Sequence, residues 1–211
     1  MSLPVLTVFD TMSGAKRPLV PVRAGHVGLY VCGVTVYDLT HIGHARVFCS
    51  FDTITRYMRH RGYAVTHVRN HTDVDDKIIN RANERGEDPA ALAQRFIHEL
   101  ETDFDQLGIL RPDVEPRVST HIAEIVELIE RLIEHGNAYV VEGDVYYAVD
   151  SFPDYGKLSG MRLDQLLEGA RVDVDPRKRS PADFALWKAQ KPGEPAWDSP
   201  WGAGRPGWHI E

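Results

Sequence analysis

The chain has 211 residues, 43% hydrophobic and 26% charged, with a formal net charge of −7. That length suits one large domain or one domain with an insertion, and the acidic balance argues against a basic nucleic-acid coat protein. No stretch approaches the roughly 20 apolar residues of a membrane span.

Residues 1–7 hold no basic segment followed by an apolar core, so no secretory signal is read there. Two cysteines, Cys32 and Cys49, are too few for a disulfide framework. The expected location is a reducing cytoplasm.

Residues 4–9 read as a short edge strand. Residues 26–32 are β-branched and aromatic, as suits a central strand, and Gly33 breaks it. From His44, apolar residues recur at Val47, Phe51, Ile54 and Met58, the period of an amphipathic helix, with Cys49 on its apolar side as a small core residue. Gly62 stands where a helix C′ glycine belongs, and residues 63–68 read as the next strand. Strand, helix and strand in this order make a βαβ unit, hence a parallel sheet.

The run Asp73-Val-Asp-Asp76 precedes a helix to Arg85, stopped by Gly86. Asp88 and Pro89 open another as N-cap and first residue, with Ala93, Phe96, Leu100, Phe104 and Leu107 on one face. Residues 111–116 read as a linker. A further helix carries Val118, Ile122, Ile125, Ile129 and Leu132 and ends at Gly136. Residues 138–141 and 144–149 alternate around Glu142-Gly143, a hairpin pattern. Residues 151–183 are irregular and polar, 183–188 form one more strand, and 192–206 are dense in Gly, Pro and Trp. The order predicts a nucleotide-binding α/β core: its first half in 1–112, an inserted connective region of helix plus hairpin in 113–182, and a return to the core in 183–211.

The densest chemistry lies in Tyr30-Val-Cys-Gly-Val-Thr-Val-Tyr-Asp-Leu-Thr-His-Ile-Gly-His-Ala-Arg46. Ligands of a parallel sheet bind beyond the carboxyl ends of its strands. A helix start there offers unpaired N–H groups and a positive dipole end, both suited to phosphate. His41 and His44, at i and i+3, share one face of the first turn. Gly43, without a Cβ, gives a flat adenine ring room against the backbone. The same histidines also read as a helix cap, or as surface residues.

Cys32 is expected to face the same crevice, as a structural residue, a nucleophile or a metal ligand. Thr72 reads as an N-cap for the following helix, and Trp208 as core. Asp73, Asp75 and Asp76 suit either magnesium or a negatively charged helix start. Arg171, Arg177, Lys178 and Arg179 form the densest basic run, either a solvated loop or a contact for nucleic acid.

The segment from Tyr30 to Arg46 closely resembles bacterial cysteinyl-tRNA synthetases. So do Val68-Arg-Asn-His-Thr-Asp-Val-Asp-Asp-Lys77, Gly169-Ala-Arg-Val-Asp-Val174, Asp183-Phe-Ala-Leu-Trp-Lys188 and Ser199-Pro-Trp-Gly-Ala-Gly-Arg-Pro-Gly-Trp-His-Ile-Glu211. The resemblance runs in order through essentially the whole chain. It implies a class I synthetase catalytic domain of Rossmann type with a connective insertion. It also implies activation of cysteine by ATP with Mg2+, then transfer to tRNA(Cys), by a monomer.

Position by position, the resemblance makes His41 and His44 catalytic and, with Gly43, ATP-binding. It makes Gly33, Thr72 and Trp208 the lining of the cysteine pocket and Cys32 the first ligand of a Zn2+ that grips the substrate thiolate. The family pattern continues past Glu211 with the other metal ligands, a Lys-Met-Ser-Lys-Ser loop and tRNA-binding helical domains. The 211 residues are therefore expected to be part of a longer synthetase and inactive alone. Two alternatives stand beside this reading. One is the cysteine ligase of mycothiol-type biosynthesis, which usually has proline where this chain has Val36. The other is a non-catalytic paralogue that binds cysteine or tRNA.

Overall fold

The computed structural model describes residues 5–160 and 175–211. They form two compact units, one from residues 5–10 and 14–120, the other from residues 11–13, 121–160 and 175–211.

The first unit opens with a hairpin of β1 (Thr7–Asp10) and β2 (Ala15–Pro18). Its flanking residues Leu6 and Leu19 pack against Val27, Met58 and Tyr63. The core is the expected βαβ unit. β3 (His26–Val31) and β4 (Ala64–Arg69) pair in parallel through α1 (Ile42–His60).

Two further helices follow. α2 (Asp76–Arg85) ends at Gly86 in the left-handed region. Its N-cap is Asp75, whose carboxylate accepts from the Lys77 backbone at 2.8 Å, not Thr72. α3 (Pro89–Gln106) starts as read, with Asp88 as cap, and buries Phe96, Leu100 and Phe104. Leu107 lies beyond the last turn and is exposed.

Other expectations are corrected. Residues 111–116 are more than a linker: His67 O accepts from Asp113 N, and Arg69 N and His71 N donate to Val114 O and Pro116 O. Parallel bridges join Val68 to Val114 and His71 to Arg117. Two prolines and three charged side chains hide this strand-like segment from a hydrophobic pattern, and Pro is tolerated where the ladder does not need its missing N–H. β4 is therefore flanked on both sides, by β3 and by this segment.

The buried face of α1 is also shifted. Val47 and Ile54 are 44% and 39% exposed, and the buried residues are Phe48, Thr55 and Met58. Two overlapping stripes fit the sequence, and Thr55 belongs to the buried one because its hydroxyl donates to the Phe51 carbonyl at 2.8 Å. Cys49 is half-buried against the same core, near the place expected for it.

One buried ion pair ties these layers together. Arg69, 2% exposed, donates from Nη2 to Glu115 and lies over the adjoining rings of Phe48 and Phe104, 5.3 and 4.9 Å from their centroids. His71 Nε2 is 3.5 Å from the same carboxylate. Burial alone would raise the Glu115 pKa. The neighbouring His71 and Arg69 outweigh it and hold that carboxyl at about 2.

The second unit holds α4 (Ile122–Glu134), then an antiparallel sheet ordered β5 (Ala138–Val141), β6 (Asp144–Tyr147), β7 (Phe184–Ala189), β8 (Gly204–Pro206). β5 and β6 are the expected hairpin about Glu142-Gly143. Val118 belongs to a short 3-10 turn before α4, not to the helix. Asp183, at the head of β7, is buried and accepts from Tyr139 Oη, Val149 N and Ser180 N at 2.7–3.0 Å.

Glu115→Gln leaves the Arg69 cation buried beside a neutral amide and is expected to cost about 3 kcal/mol. The folded carboxyl ionises far below its ordinary value of 4.5. Its contribution is therefore complete above pH 4.5 and is lost as pH falls toward 2. Urea titrations of wild type and variant across that range check both statements; the variant should lack this part of the acid loss.

Candidate functional site

Beyond β3 the chain turns along the continuation of β4. Thr72 N donates to Val34 O and Val36 N donates to Thr72 O, both at 3.2 Å, and Gly33 N donates to the Asn70 side chain at 2.7 Å. Gly33 has no alternative here: a Cβ would lie 1.6 Å from the Asn70 carbonyl oxygen. The backbone of residues 33–36 is thereby held as one wall of a cavity of about 500 Å³, a size typical of small-molecule sites. Cys32, His41, His44 and Lys77 line it, with an apolar side from Val47, Phe48, Phe96 and Leu100.

His41 is the N-cap of α1. Its Nδ1 accepts from Gly43 N at 3.1 Å, and its own N–H donates to His44 Nδ1 at 3.3 Å. The two rings stack at 3.8 Å between centroids, 18° from parallel. Each Nδ1 is therefore an acceptor and carries no proton, which places the ring proton on Nε2. The pair presents two Nε2–H donors beside the positive end of a 19-residue helix. Burial, and next the nearby His41, lower the pKa of His44. A neutral, donating imidazole suits the oxygens of a phosphate chain.

The other sequence-based candidates divide. Cys32 is an exposed free thiol on the cavity wall, as expected. Gly43 is also required by the cap, since a Cβ there would meet the His41 ring at 2.8 Å. Thr72 is buried and paired with Thr35, and its main chain holds the cavity wall. Trp208 lies in the second unit, 61% exposed, on a 3-10 turn with its ring 5.0 Å from that of His209.

The acidic run does not gather into a cation site. Asp73 accepts from Ser119 N and Oγ at 3.0 and 2.5 Å, and Asp75 caps α2. Arg171 and the Gly169–Val174 motif lie outside the described residues. Arg177 is committed to Asp144 and Asp175, both at 2.7 Å, and Arg179 sits 4.0 Å above the Tyr139 ring. These two are structural staples rather than a free basic patch.

Sequence reasoning missed Phe96 and Leu100, which read as ordinary core, and Thr40, whose hydroxyl bonds the α3 residue Asp103.

Among the described residues, the one group of three metal-ligand types within 4.8 Å is His71, Glu101 and Glu115. Arg111 and Arg69 already engage its carboxylates, and Cys32 is not in it. The residues around Cys32 therefore do not by themselves meet the three or four donors that zinc requires.

His41→Ala removes the cap and is expected to destabilise the first unit by about 1 kcal/mol, whereas His41→Asn, a strong N-cap type, is expected to retain most of it. Because the folded state resists protonation of His44, this ring's contribution is complete above its ordinary 6.5 and declines as pH falls below it. Ring titration by NMR should give a His44 midpoint under 6.5, with Nε2 as the protonated nitrogen. A midpoint at or above 6.5 would contradict the capping tautomer.

The family described as tRNA synthetases class I (C) catalytic domain matches residues 18–211. A cysteine–tRNA ligase of Trichlorobacter lovleyi is 61% identical over 206 residues, 98% of this chain and 42% of that protein. One from Anaeromyxobacter dehalogenans is 63% identical over 207 residues, 98% and 43%. One from a Shewanella species is 57% identical over 210 residues, 99% and 46%. A Mycobacterium tuberculosis methionyl-tRNA synthetase solved with methionyl-adenylate is 26% identical, with a TM-score of 0.49 over 58% of this chain and 25% of that one. The chain thus spans less than half the length of these cysteine–tRNA ligases. With an α/β core, a parallel βαβ unit and a family match over nearly all of its length, this chain belongs to the class I tRNA synthetase catalytic-domain family.

Proposed function

We propose that the chain carries the amino-acid-activating site of a cysteine–tRNA ligase. In the reaction, a cysteine carboxylate oxygen attacks the α-phosphorus of ATP, cysteinyl-adenylate forms and pyrophosphate leaves; the cysteinyl group then passes to tRNA(Cys). The observation that carries the reading is the cavity that joins the His41–His44 cap to the Cys32 wall. The relatives, 57–63% identical, bear that name.

The chain's own residues have definite tasks in this scheme. The Nε2–H groups of His41 and His44 donate to phosphate oxygens and stabilise the charge that grows as the α-phosphorus is attacked. The N-terminus of α1 adds its dipole. Gly33 and Thr72 keep the wall in place beneath the amino acid, and the family resemblance assigns Trp208 to cysteine binding as well. Cys32 would give one soft sulfur ligand to a zinc ion, and such an ion would favour the substrate thiol over a serine hydroxyl. Mg2+ accompanies ATP. The free thiols suit a reducing cytoplasm, and no helix among the described residues is long and apolar enough to cross a membrane.

Two measurements test this. Cysteine-dependent exchange of pyrophosphate into ATP is expected from this chain extended to the length of its relatives, with serine inert; its absence there would sink the assignment. The 211-residue chain alone is expected to retain no stoichiometric zinc after dialysis, because Cys32 has no cluster of companion donors among the described residues. A 1:1 zinc content by elemental analysis would overturn that expectation.

A further inference from the structure

The cavity wall holds one cation without an assigned task. Lys77 is the second residue of α2 and lines the cavity opposite in charge to any phosphate that enters it. Its Nζ stands 5.6 Å from the centroid of the Tyr37 ring, on the same wall. The neighbouring cation is spoken for: Arg81, also over Tyr37 at 5.9 Å, is paired with Asp38 at 3.0 Å. Among the described residues, no carboxylate lies within ion-pair distance of Lys77 Nζ. Asp75, two positions earlier, spends its side chain on the helix cap.

The charge of the cavity sharpens the point. His41 and His44 accept at Nδ1 and donate as neutral rings. Asp38 is offset by Arg81. Lys77 therefore carries the one unbalanced formal charge among the cavity's described lining residues. An ammonium held over an aromatic face keeps a defined position while its N–H groups stay free for a ligand. A lysine is a point charge that binds phosphate without demanding a planar match. A single cysteine carboxylate carries less charge than the β- and γ-phosphates of ATP, so the polyphosphate gains more from this group.

We propose that Lys77 is a binding residue for the polyphosphate of ATP, in the cavity it lines together with the His41–His44 cap. The proposal rests on the nucleotide reading above, and its test separates the two. Binding of ATP and of adenosine is measured by calorimetry on the full chain, for wild type, Lys77→Met and Lys77→Arg. Methionine keeps the length and the apolar stem against Tyr37 while removing the charge, and thermal melts verify that each variant is folded.

The expected result is ATP binding weakened about tenfold in Lys77→Met, with adenosine unaffected and most of the ATP affinity restored in Lys77→Arg. ATP binding equal in wild type and Lys77→Met would overturn the role of Lys77 and leave the nucleotide site standing. Equal weakening for ATP and adenosine would make Lys77 a structural residue and also overturn the proposal. Folded wild-type protein that binds neither ligand would remove the nucleotide reading, and the proposal with it.

Discussion

The site depends on a short stretch of backbone pairing beyond the regular sheet. β3 and β4 run in parallel to Val31 and Arg69, and the chain beyond would be free to wander. It does not, because Gly33, Val34 and Val36 are bonded to Asn70 and Thr72. A Cβ at position 33 would overlap the Asn70 carbonyl, so the approach exists only with glycine. The wall that follows positions Cys32 at one end and delivers the chain to the cap of α1 at the other. Remove this pairing and the thiol and the imidazoles have no fixed relation.

His41 shows how structural and functional readings of one residue can coincide. Taken as a cap, its ring would seem to be used up; taken as a ligand donor, the cap would seem incidental. The geometry unites them, since the cap uses Nδ1 and thereby assigns the proton to Nε2. His44 repeats the arrangement with the backbone of His41. The local rule that starts the helix therefore also sets the chemical state of the groups facing the cavity.

Much of this was legible in the sequence, and the exceptions have physical causes. The βαβ unit, the starts of α2 and α3 near their aspartates, the hairpin at Glu142-Gly143 and the strand after Asp183 follow from periodicity and punctuation. His41, His44 and Cys32 stood out because residue type and position agreed. The segment 113–117 was hidden because its contribution is backbone bonding, which prolines and charges disguise. Thr72 yields the cap to Asp75, and the backbone bonds by which it holds the wall leave no mark on a residue pattern. Lys77 was visible within a quoted motif but had no evident role, since charge balance is settled by pairs such as Arg81 with Asp38 that lie apart in sequence.

The Arg69 guanidinium, lying over the adjoining rings of Phe48 of α1 and Phe104 of α3 and anchored on Glu115, has a mechanical consequence. It acts as a rivet through two helices and two neighbouring strands. Sliding α1 past α3 would part the two rings and strip a buried cation of its aromatic cover, which resists movement of one helix against the other. The stretch from Val34 to Thr40 is fastened to that assembly at both ends, by the bonds of Val34 and Val36 to Thr72 and by the bond of Thr40 to Asp103 of α3.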